Sequence, residues 1–475
     1  MDPRSRNVEQ RYPRRVDPNT VFTQGTLDRL TTSIMFWQQG PGNLGALHLH
    51  ACWGVTSVLT RRYHGQSISM GRSLLHGAMR LFETTGDLRW KRMADDVITN
   101  ILFLQAPNGG FIHAVAELEP AYVPEETCTI HQFLPILTLL EYAAWAHADH
   151  DLQARIRPAI DRHWEWSLGY LWRSGNAWQH PPLKFPGWCG VTNQDLVAIT
   201  SLVLYAQLYG DASRFVEFGE PTLEVYLGPD YYFPAIGLME RGDGENFVER
   251  TGYYSVVLST LETIRAYTGR EQLQDVIDNI AGHLFDAIFT WKDGQSHLSW
   301  GAETWPDDKT SVRRWLRTPI TLNGYPETLK DMQRFLARHP DETGAAQVAQ
   351  LERTLASYVF ADGTIPAALG ATDPIFSIAT SPVSGALAMW LFLIDRLGEE
   401  LRSPAHAPTG CIHRAKDGLK WKSNERMWAI EKDGQRLFAG LKLNPGAVVI
   451  GPDETIAGGD LAELDRCDVL ETLEF

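Results

Sequence analysis

Helical hairpins recur along this sequence at an almost constant spacing. Apolar residues three and four positions apart, as in Leu74, Leu75, Ala78 and Leu81, indicate amphipathic helices and continue from about residue 27 to residue 398. Turn residues interrupt them near positions 86, 148, 210, 269, 340 and 398, so each period of about sixty residues holds two helices and one longer loop. Open helical superhelices usually repeat about every 33–47 residues. The longer period therefore predicts six hairpins closed into an (α/α)6 toroid.

The two ends of the chain lack this pattern. Residues 1–25 are rich in Arg, Pro and Asp, which predicts an irregular N-terminal arm. After Pro408, short runs with β propensity, such as residues 436–440, alternate with turn sequences such as 444–446. We therefore predict a mainly α protein with an arm over residues 1–25, an (α/α)6 toroid catalytic domain over 26–407 and a small antiparallel β unit over 408–475.

The composition narrows the class of protein. The 475 residues are 44% hydrophobic and include 16 tryptophans, which indicates a globular fold with a large core. No apolar run reaches the ~18 residues of a membrane helix, and the net charge of −15 argues against general nucleic-acid binding. The five cysteines lack CxxC spacing, and no apolar secretory segment opens the sequence. We expect a cytoplasmic protein without nucleic-acid or membrane partners, and its oligomeric state stays open.

The long loops of the repeat are rich in Trp, Tyr, Gly and Pro and recur on the same side of each hairpin. In a closed ring they would surround one mouth, where aromatic rings can stack on the apolar faces of sugars. This pattern predicts a glycan substrate, with Trp188 and Trp305 among its contacts, while about half of the tryptophans are assigned to the core. The loops span residues 107–113, 178–195, 231–252, 291–305 and 362–366.

The junction at residues 188–195 concentrates polar groups where a loop enters a helix. Thr192 or Asn193 can cap the apolar run that follows, so Asn193, Gln194 and Asp195 fall in the first helical turn. Free N–H groups and the positive end of the helix dipole suit this turn to a carboxylate or an anionic intermediate. The alternative is that these residues only cap the helix.

The next junction carries Glu249, Arg250, Tyr253 and Tyr254 before another apolar run. The spacing of four between Glu249 and Tyr253, and between Arg250 and Tyr254, predicts that each pair shares a helix face. A phenol beside an arginine can exchange a proton, because the cation favours the phenolate. The alternative is a tyrosine hydroxyl that anchors the helix.

A third junction contains Glu126, Cys128 and His131, candidates for acid/base or metal chemistry, and His113 is expected at the same mouth. The segment from Glu126 to Cys128 resembles part of the zinc–thiolate site of β-L-arabinofuranosidases. Those enzymes also have two adjacent cysteines, whereas Cys189 stands alone here, and zinc normally takes four ligands. We therefore expect no metal and no cofactor. The alternative is an acidic helix N-terminus.

Two of these junctions together resemble the toroid polysaccharide lyases of the heparinase II/III and alginate lyase kind. In those enzymes an Asn begins an inner helix, a catalytic Tyr follows one repeat later in an acidic-Gly-aromatic setting, and a β domain succeeds the helical ring. The resemblance covers about residues 180–270 and the order of the domains. It implies that Asn193 neutralises a substrate carboxylate and that Tyr253 or Tyr254 moves the proton.

One position departs from that family. Gln194 stands where those enzymes commonly have His, so the resemblance implies that His131 or His113 supplies the partner base.

The leading hypothesis is a lyase that cleaves uronic-acid-containing oligo- or polysaccharides by β-elimination. Asn and Arg donors would stabilise the enolate-like intermediate, and a Tyr would move the proton. The basic run 313–317 is a solvated face or a carboxylate clamp. Substrate contacts are expected from Trp188, Gln194, Arg250, His113, Glu126 and Trp305.

Other activities are compatible with the same toroid. A glycoside hydrolase needs two carboxylates about 5–10 Å apart. A sugar isomerase or epimerase would place histidines in the cleft, and a glycan-binding protein without activity would not need polar groups at several junctions. The candidate carboxylates for a hydrolase are Asp195, Glu126, Glu249 and Glu303.

Overall fold

The computed structural model describes most of the helical part of the chain and the strands that follow it. His113 and Glu126, two of the candidate site residues, lie outside the described part. The described residues are 21–37, 71–111, 124, 128–173, 183, 185–243, 246–291, 294–317, 320–321, 324–357, 359, 368–369, 382–405 and, as strands only, 411–416, 419–423, 427–432, 435–441, 448–450 and 455–457.

The helices follow the sequence periodicity. They are α1 (Gln24–Trp37), α2 (Gly71–Thr85), α3 (Leu88–Phe103), α4 (Thr129–Ala143), α5 (His150–Tyr170), α6 (Thr192–Tyr209), α7 (Glu220–Leu227), α8 (Tyr254–Thr268), α9 (Gln272–His283), α10 (Tyr325–Arg338), α11 (Glu342–Ser357) and α12 (Pro382–Leu397). Short turns join α2 to α3, α4 to α5, α8 to α9 and α10 to α11. A π-helical turn, Phe215–Gly219, leads into α7. None of the described helices is long and apolar enough to cross a membrane.

The strands are β1 (Tyr232–Phe233), β2 (Leu238–Met239), β3 (Ile288–Thr290), β4 (Ser296–Leu298), β5 (Gly301–Trp305), β6 (Asp308–Leu316), β7 (Ile320–Thr321), β8 (Ala368–Leu369), β9 (Cys411–Lys416), β10 (Leu419–Ser423), β11 (Met427–Lys432), β12 (Gln435–Leu441), β13 (Val448–Ile450) and β14 (Thr455–Ala457). Strands β9 to β12 form an antiparallel sheet in the order β12-β11-β10-β9. The predicted antiparallel unit after the helices is therefore confirmed, whereas the domain boundaries at residues 25 and 407 stay predictions.

The chain divides into two compact units, of which unit 1 comprises residues 1–100, 113–121 and 355–475. Within unit 1, α12 packs against both α1 and α2. The Trp390 indole N–H donates to the Thr31 hydroxyl over 3.0 Å. A Cβ built on Gly77 would lie 1.9 Å from the Trp390 ring, so only glycine permits this approach of α2 to α12. The first and last of the described helices thus share one core.

Unit 2 comprises residues 101–112 and 122–354. Helix α6 packs between α4 and α8. The Thr200 hydroxyl of α6 donates to or accepts from the Thr260 hydroxyl of α8 at 2.8 Å, and both residues lie about two turns after their helix starts. The Asn193 N–H at the start of α6 also contacts Glu249, which lies shortly before α8. With both contacts the two helices run in the same direction, and the long loops reach them from the same end.

One long loop of unit 2 contains a hairpin that the helical analysis did not predict. Ala302 and Thr304 of β5 are fully buried, whereas Glu303 between them is half-buried and Trp305 is exposed. This alternation is typical of a strand with one face on the core. It lies in a stretch that we predicted as a loop, because the search for apolar spacings of three and four does not detect a period of two.

Candidate active site

Side-chain hydrogen bonds join the N-terminal ends of four helices in unit 2, as the pairs α4 with α6 and α8 with α10. The Gln194 side-chain oxygen accepts the Ile130 backbone N–H at 3.1 Å, so the start of α6 caps the start of α4. The Thr328 hydroxyl of α10 donates to the Thr251 carbonyl at 3.3 Å, just before α8. These contacts gather the loop-to-helix junctions at one end of unit 2, as the repeat predicts.

Glu249 is fully buried among these junctions. One carboxylate oxygen accepts from the Arg241 guanidinium at 2.7 Å and from the Arg250 backbone N–H at 2.8 Å. The other accepts the Asn193 backbone N–H at 3.2 Å. A carboxylate at a helix N-terminus is stabilised by the free N–H groups and the dipole. Glu249 therefore caps α6, a role that we predicted for Thr192 or Asn193.

The predicted helical faces at the Glu249 junction are wrong. Phe247 and Val248 form antiparallel bridges to Glu303 and Glu240, so the chain is extended immediately before Glu249. A 3-10 turn begins only at Thr251 and leads into α8. The backbone bonds that hold this segment extended come from distant residues, which the local spacing of four does not show.

Arg250 has an unusual environment for a half-buried cation. Its guanidinium carbon lies 4.7 Å from the Trp300 ring centroid and 5.5 Å from that of Tyr253. Its Nε is buried without a hydrogen-bond partner, and no ion pair joins Arg250 to any carboxylate in the described ranges. The guanidinium carbon of Arg241 lies 5.7 Å from the centroid of the same Tyr253 ring. Two cations therefore flank the half-buried Tyr253, and one of them, Arg250, has no counter-ion among the residues that the structure describes.

Asn193 also has unused hydrogen-bonding capacity. The residue is 3% exposed, and its side-chain oxygen is buried without a partner. Since the two ends of an amide are interchangeable by rotation, either an acceptor or an NH2 donor can occupy this position. Its backbone N–H and that of Arg250 contact the same Glu249 carboxylate. The backbones of Asn193 and Arg250 are therefore close to each other, because both contact the Glu249 carboxylate.

Asp195, a candidate hydrolase carboxylate, forms hydrogen bonds within the protein through both of its oxygens. It is fully buried, and its two oxygens accept the backbone N–H groups of Trp188, Cys189 and Gly190 at 2.9–3.3 Å and the Tyr226 hydroxyl at 2.8 Å. Burial raises the pKa of this carboxyl, and the hydrogen bonds oppose that effect. Asp195 therefore organises the loop before α6 and has no oxygen left for the predicted catalytic role.

Two aromatic candidates are also corrected. Trp188 is fully buried against Phe133, Trp164 and Trp172, so it presents no face to a ligand. Tyr254 is buried, and its hydroxyl oxygen accepts the Met239 backbone N–H at 2.9 Å. Burial raises the pKa of Tyr254 well above its ordinary value. Tyr254 therefore has the anchoring role, and Tyr253 remains the candidate for proton transfer.

His131 lies in the first turn of α4, next to the Ile130 N–H that Gln194 caps. Burial lowers the pKa of His131 to about 4, so its imidazole is neutral at neutral pH. A neutral imidazole can accept a proton. Gln194 itself is committed to the cap, and we do not assign it to substrate binding.

A carboxyl that the sequence analysis did not single out lies in the first turn of α10. Burial raises the pKa of Glu327, and one of its oxygens is buried without a partner. One turn later, burial raises the pKa of Asp331 to about 8. The signal in the sequence is Pro326 before Glu327, because proline at the first helical position followed by an acidic residue marks a helix start.

Among the described residues, no group of three or more His, Cys, Asp and Glu side chains could hold a metal ion. Cys128 and Cys189 are buried and form no disulfide, and the Cys189 thiol donates to Asp195 at 3.3 Å. Burial raises the pKa of Cys189 well above its ordinary value, which disfavours the thiolate that zinc requires.

Comparison with known proteins finds similarity of fold without similarity of sequence. No protein-family model matches the chain, and no curated protein matches it. A cellobiose 2-epimerase from Bacillus thermoamylovorans B4167 has a TM-score of 0.53 and 12% identity over 80% of this chain and 100% of the other. A glucoamylase from Saccharomycopsis fibuligera has a TM-score of 0.53 and 12% identity over 81% of this chain and 97% of the other. A possible GH105 member from Salmonella enterica serovar Paratyphi A has a TM-score of 0.50 and 14% identity over 80% of this chain and 94% of the other.

These neighbours confirm the predicted fold class, a mainly helical (α/α)6 toroid of hairpins. At this level of identity the similarity shows the fold alone, because one fold hosts many activities. The neighbours are carbohydrate-processing enzymes of different kinds, so the choice of reaction depends on the residues described above.

Proposed function

We propose that this protein is a carbohydrate-active enzyme that cleaves uronic-acid-containing glycans by β-elimination. The observation that carries the proposal is Arg250, whose guanidinium lies over Tyr253 and Trp300 and has no carboxylate partner in the part of the chain that is described. A half-buried arginine without a counter-ion is costly unless a ligand supplies the anion. A uronate supplies both a carboxylate for the guanidinium and a ring for the aromatic side chains.

The residues can be assigned to the steps of an elimination. Arg250 and the Asn193 amide hold the uronate carboxylate and stabilise the negative charge that develops on it. Tyr253, as a phenolate favoured by Arg241 and Arg250, takes the proton from C5 of the sugar. The electron pair of that C–H bond forms the C4=C5 double bond. The bond from C4 to the leaving oxygen breaks, and that oxygen takes a proton from an acid, leaving an unsaturated uronate at the new end.

A glycoside hydrolase is the second candidate, because Glu327 at the N-terminus of α10 is a half-buried carboxyl with one buried oxygen and a raised pKa. A general acid in a glycosidase needs a pKa of this kind. The hydrolase requires a second free carboxylate, and neither Asp195 nor Glu249 offers one, since both oxygens of each accept hydrogen bonds within the protein. Asp331, one turn after Glu327, has one buried oxygen without a partner and is the carboxylate left for a hydrolase. The elimination is preferred because the Arg250 guanidinium lies over two aromatic rings and has no carboxylate partner among the described residues.

Product analysis separates the two reactions. The purified protein is incubated with polygalacturonate, alginate, heparan sulfate and neutral glycans, and each mixture is assayed for reducing ends and for the ultraviolet absorbance of a conjugated unsaturated uronate. We expect both signals on an acidic glycan. Reducing ends without the absorbance, lost in Glu327→Gln and retained in Tyr253→Phe, would replace the lyase with the hydrolase.

A further inference from the structure

The hairpin β5–β6 is fixed to the segment that carries Arg250. The Thr251 N–H donates to the Trp300 carbonyl at 3.0 Å, and the Val248 N–H donates to the Ala302 carbonyl at 3.1 Å. At the other end of the same ladder, the Thr304 N–H donates to the Asn246 carbonyl at 2.9 Å. The strand therefore leads directly away from Arg250 along a rigid support.

Trp305 ends this strand on its solvent face. It is 47% exposed and is the one exposed tryptophan among the side chains that the structure describes. Trp305 lies five residues beyond Trp300, which is about 16 Å in a strand. An oligosaccharide spans such a distance and a single sugar ring does not. Position and exposure therefore suit Trp305 to a sugar unit distant from the one at Arg250.

Arg313 adds a charge beside this ring. Its guanidinium carbon lies 5.3 Å from the Trp305 ring centroid, and the described residues offer it no carboxylate. Its neighbour Arg314 is paired instead with Glu303 at 2.6 Å. A guanidinium stacked on an aromatic ring keeps its N–H edge free for a carboxylate, and the second face of the indole stays available to a sugar.

We propose that Trp305 and Arg313 form an outer subsite for a second acidic sugar unit, so that the substrate is an oligo- or polyuronate with carboxylates at both ends of the span. This inference rests on the proposed function, since it extends the glycan that occupies Arg250. Charge favours an acidic unit here, because the protein carries a net charge of −15 and repels polyanions except at unpaired cations. A neutral glycan would use the ring and leave Arg313 without an anion.

The test is direct binding, measured by titration calorimetry in the absence of turnover. The probes are hexasaccharides of galacturonate, mannuronate and guluronate, with galacturonic acid and cellohexaose as short and neutral references. Arg313→Ala should weaken binding of the preferred hexauronate about tenfold, the size of one charge-assisted hydrogen bond. Trp305→Ala should weaken it similarly. Binding of the single sugar should not change, and the loss should shrink at high salt.

Arg314→Ala is the matched control, because it removes the same charge one position away from a side chain that is already paired with Glu303. Hexauronate binding that falls equally in Arg313→Ala and Arg314→Ala, or that is unchanged in Arg313→Ala and Trp305→Ala, would overturn the proposal. So would a wild-type protein that binds none of the hexauronates. Binding with the expected pattern but without any unsaturated product refutes the lyase alone and leaves the outer subsite intact.

Discussion

Two adjacent tyrosines receive opposite environments from the turn that carries them. Tyr253 is half-buried with Arg241 and Arg250 within 6 Å of its ring, whereas Tyr254 is fully buried with its hydroxyl on the Met239 N–H. The guanidinium carbons of Arg241 and Arg250 lie over the ring of Tyr253, at 5.7 and 5.5 Å from its centroid. Burial disfavours the phenolate of Tyr254 and raises its pKa. Of these two neighbours in the sequence, Tyr253 is therefore the candidate acid/base, and Tyr254 anchors the start of α8 through its hydroxyl.

This difference predicts two distinct outcomes from the same chemical change. Tyr253→Phe should lower kcat on the active glycan by at least about a hundredfold, the lower end of an acid/base contribution. Tyr254→Phe should retain most of kcat and lower the free energy of unfolding by about 1–2 kcal/mol, since a buried N–H loses its acceptor. Steady-state kinetics and urea unfolding measure both. An equal loss of kcat in the two variants would contradict the assignment.

Buried His163 should make the stability of the protein depend on pH. His163 is fully buried, its Nδ1 lies 3.2 Å from the Gly109 carbonyl, and burial lowers its pKa to about 3. Below the pKa of about 6.5 that an unperturbed histidine has, His163 is protonated in the unfolded chain but stays neutral in the folded protein. The free energy of unfolding should therefore fall as the pH drops from about 6.5 towards 3, by about 1.4 kcal/mol per pH unit from this residue.

Urea unfolding at a series of pH values measures this slope. His163→Gln is the control, because its amide can still donate to the Gly109 carbonyl but does not titrate. A slope between pH 6.5 and pH 4 that is the same in His163→Gln as in the wild-type protein would show that His163 is not the source.

At the scale of elements, the helix starts are capped by residues far away in sequence. Gln194 caps α4 across 64 residues, and Glu249 caps α6 across 56. Each long loop thus closes the start of a neighbouring helix in addition to joining two helices. The same contacts place Asn193 and Arg250 next to each other, so the candidate site depends on how the helices are capped.

Glu249→Gln should therefore destabilise unit 2. The change leaves Arg241 buried with only Asp243 as a counter-ion, and we expect the free energy of unfolding to fall by about 3 kcal/mol. The double variant Arg241→Met with Glu249→Gln should recover part of this loss, because the uncompensated charge is gone. Urea unfolding of Glu249→Gln, of Arg241→Met alone, of the double variant and of the wild-type protein gives the coupling free energy. A Glu249→Gln protein with wild-type stability would contradict the role of Glu249 as a buried cap.

The sequence predicted helices better than it predicted their caps. Apolar spacing located α5 and α6 to within a few residues, because that period is set by burial of one face. It assigned the cap of α6 to Thr192 or Asn193, although Val191 is the capping position and Glu249 supplies the acceptor. Long-range partners of this kind leave no local pattern. For the same reason the sequence did not show that the Asp195 carboxylate accepts the backbone N–H groups of the loop before α6.

At the scale of the whole molecule, one core depends on the approach of α2 to α12. Gly77→Ala should lower the free energy of unfolding by about 1–3 kcal/mol, since the new methyl overlaps the buried Trp390 ring. Gly169→Ala is the matched control in α5, where nothing lies within 4 Å of the added Cβ. That variant should be up to about 1 kcal/mol more stable, because alanine favours the helix. Thermal unfolding of both variants checks the pair, and stabilisation of Gly77→Ala would contradict the close contact.

The core that joins α1 to α12 also imposes an order on synthesis. Leu27, Leu30 and Ile34 of α1 are fully buried, and the Thr31 hydroxyl meets a tryptophan 359 residues further along the chain. At roughly 5–20 residues per second, α1 waits on the order of 20–70 s before its partner has been made. Almost all of unit 2 is translated in that interval. The contacts between α1 and α12 therefore form only after almost all of unit 2 has left the ribosome, so this core is completed late in synthesis.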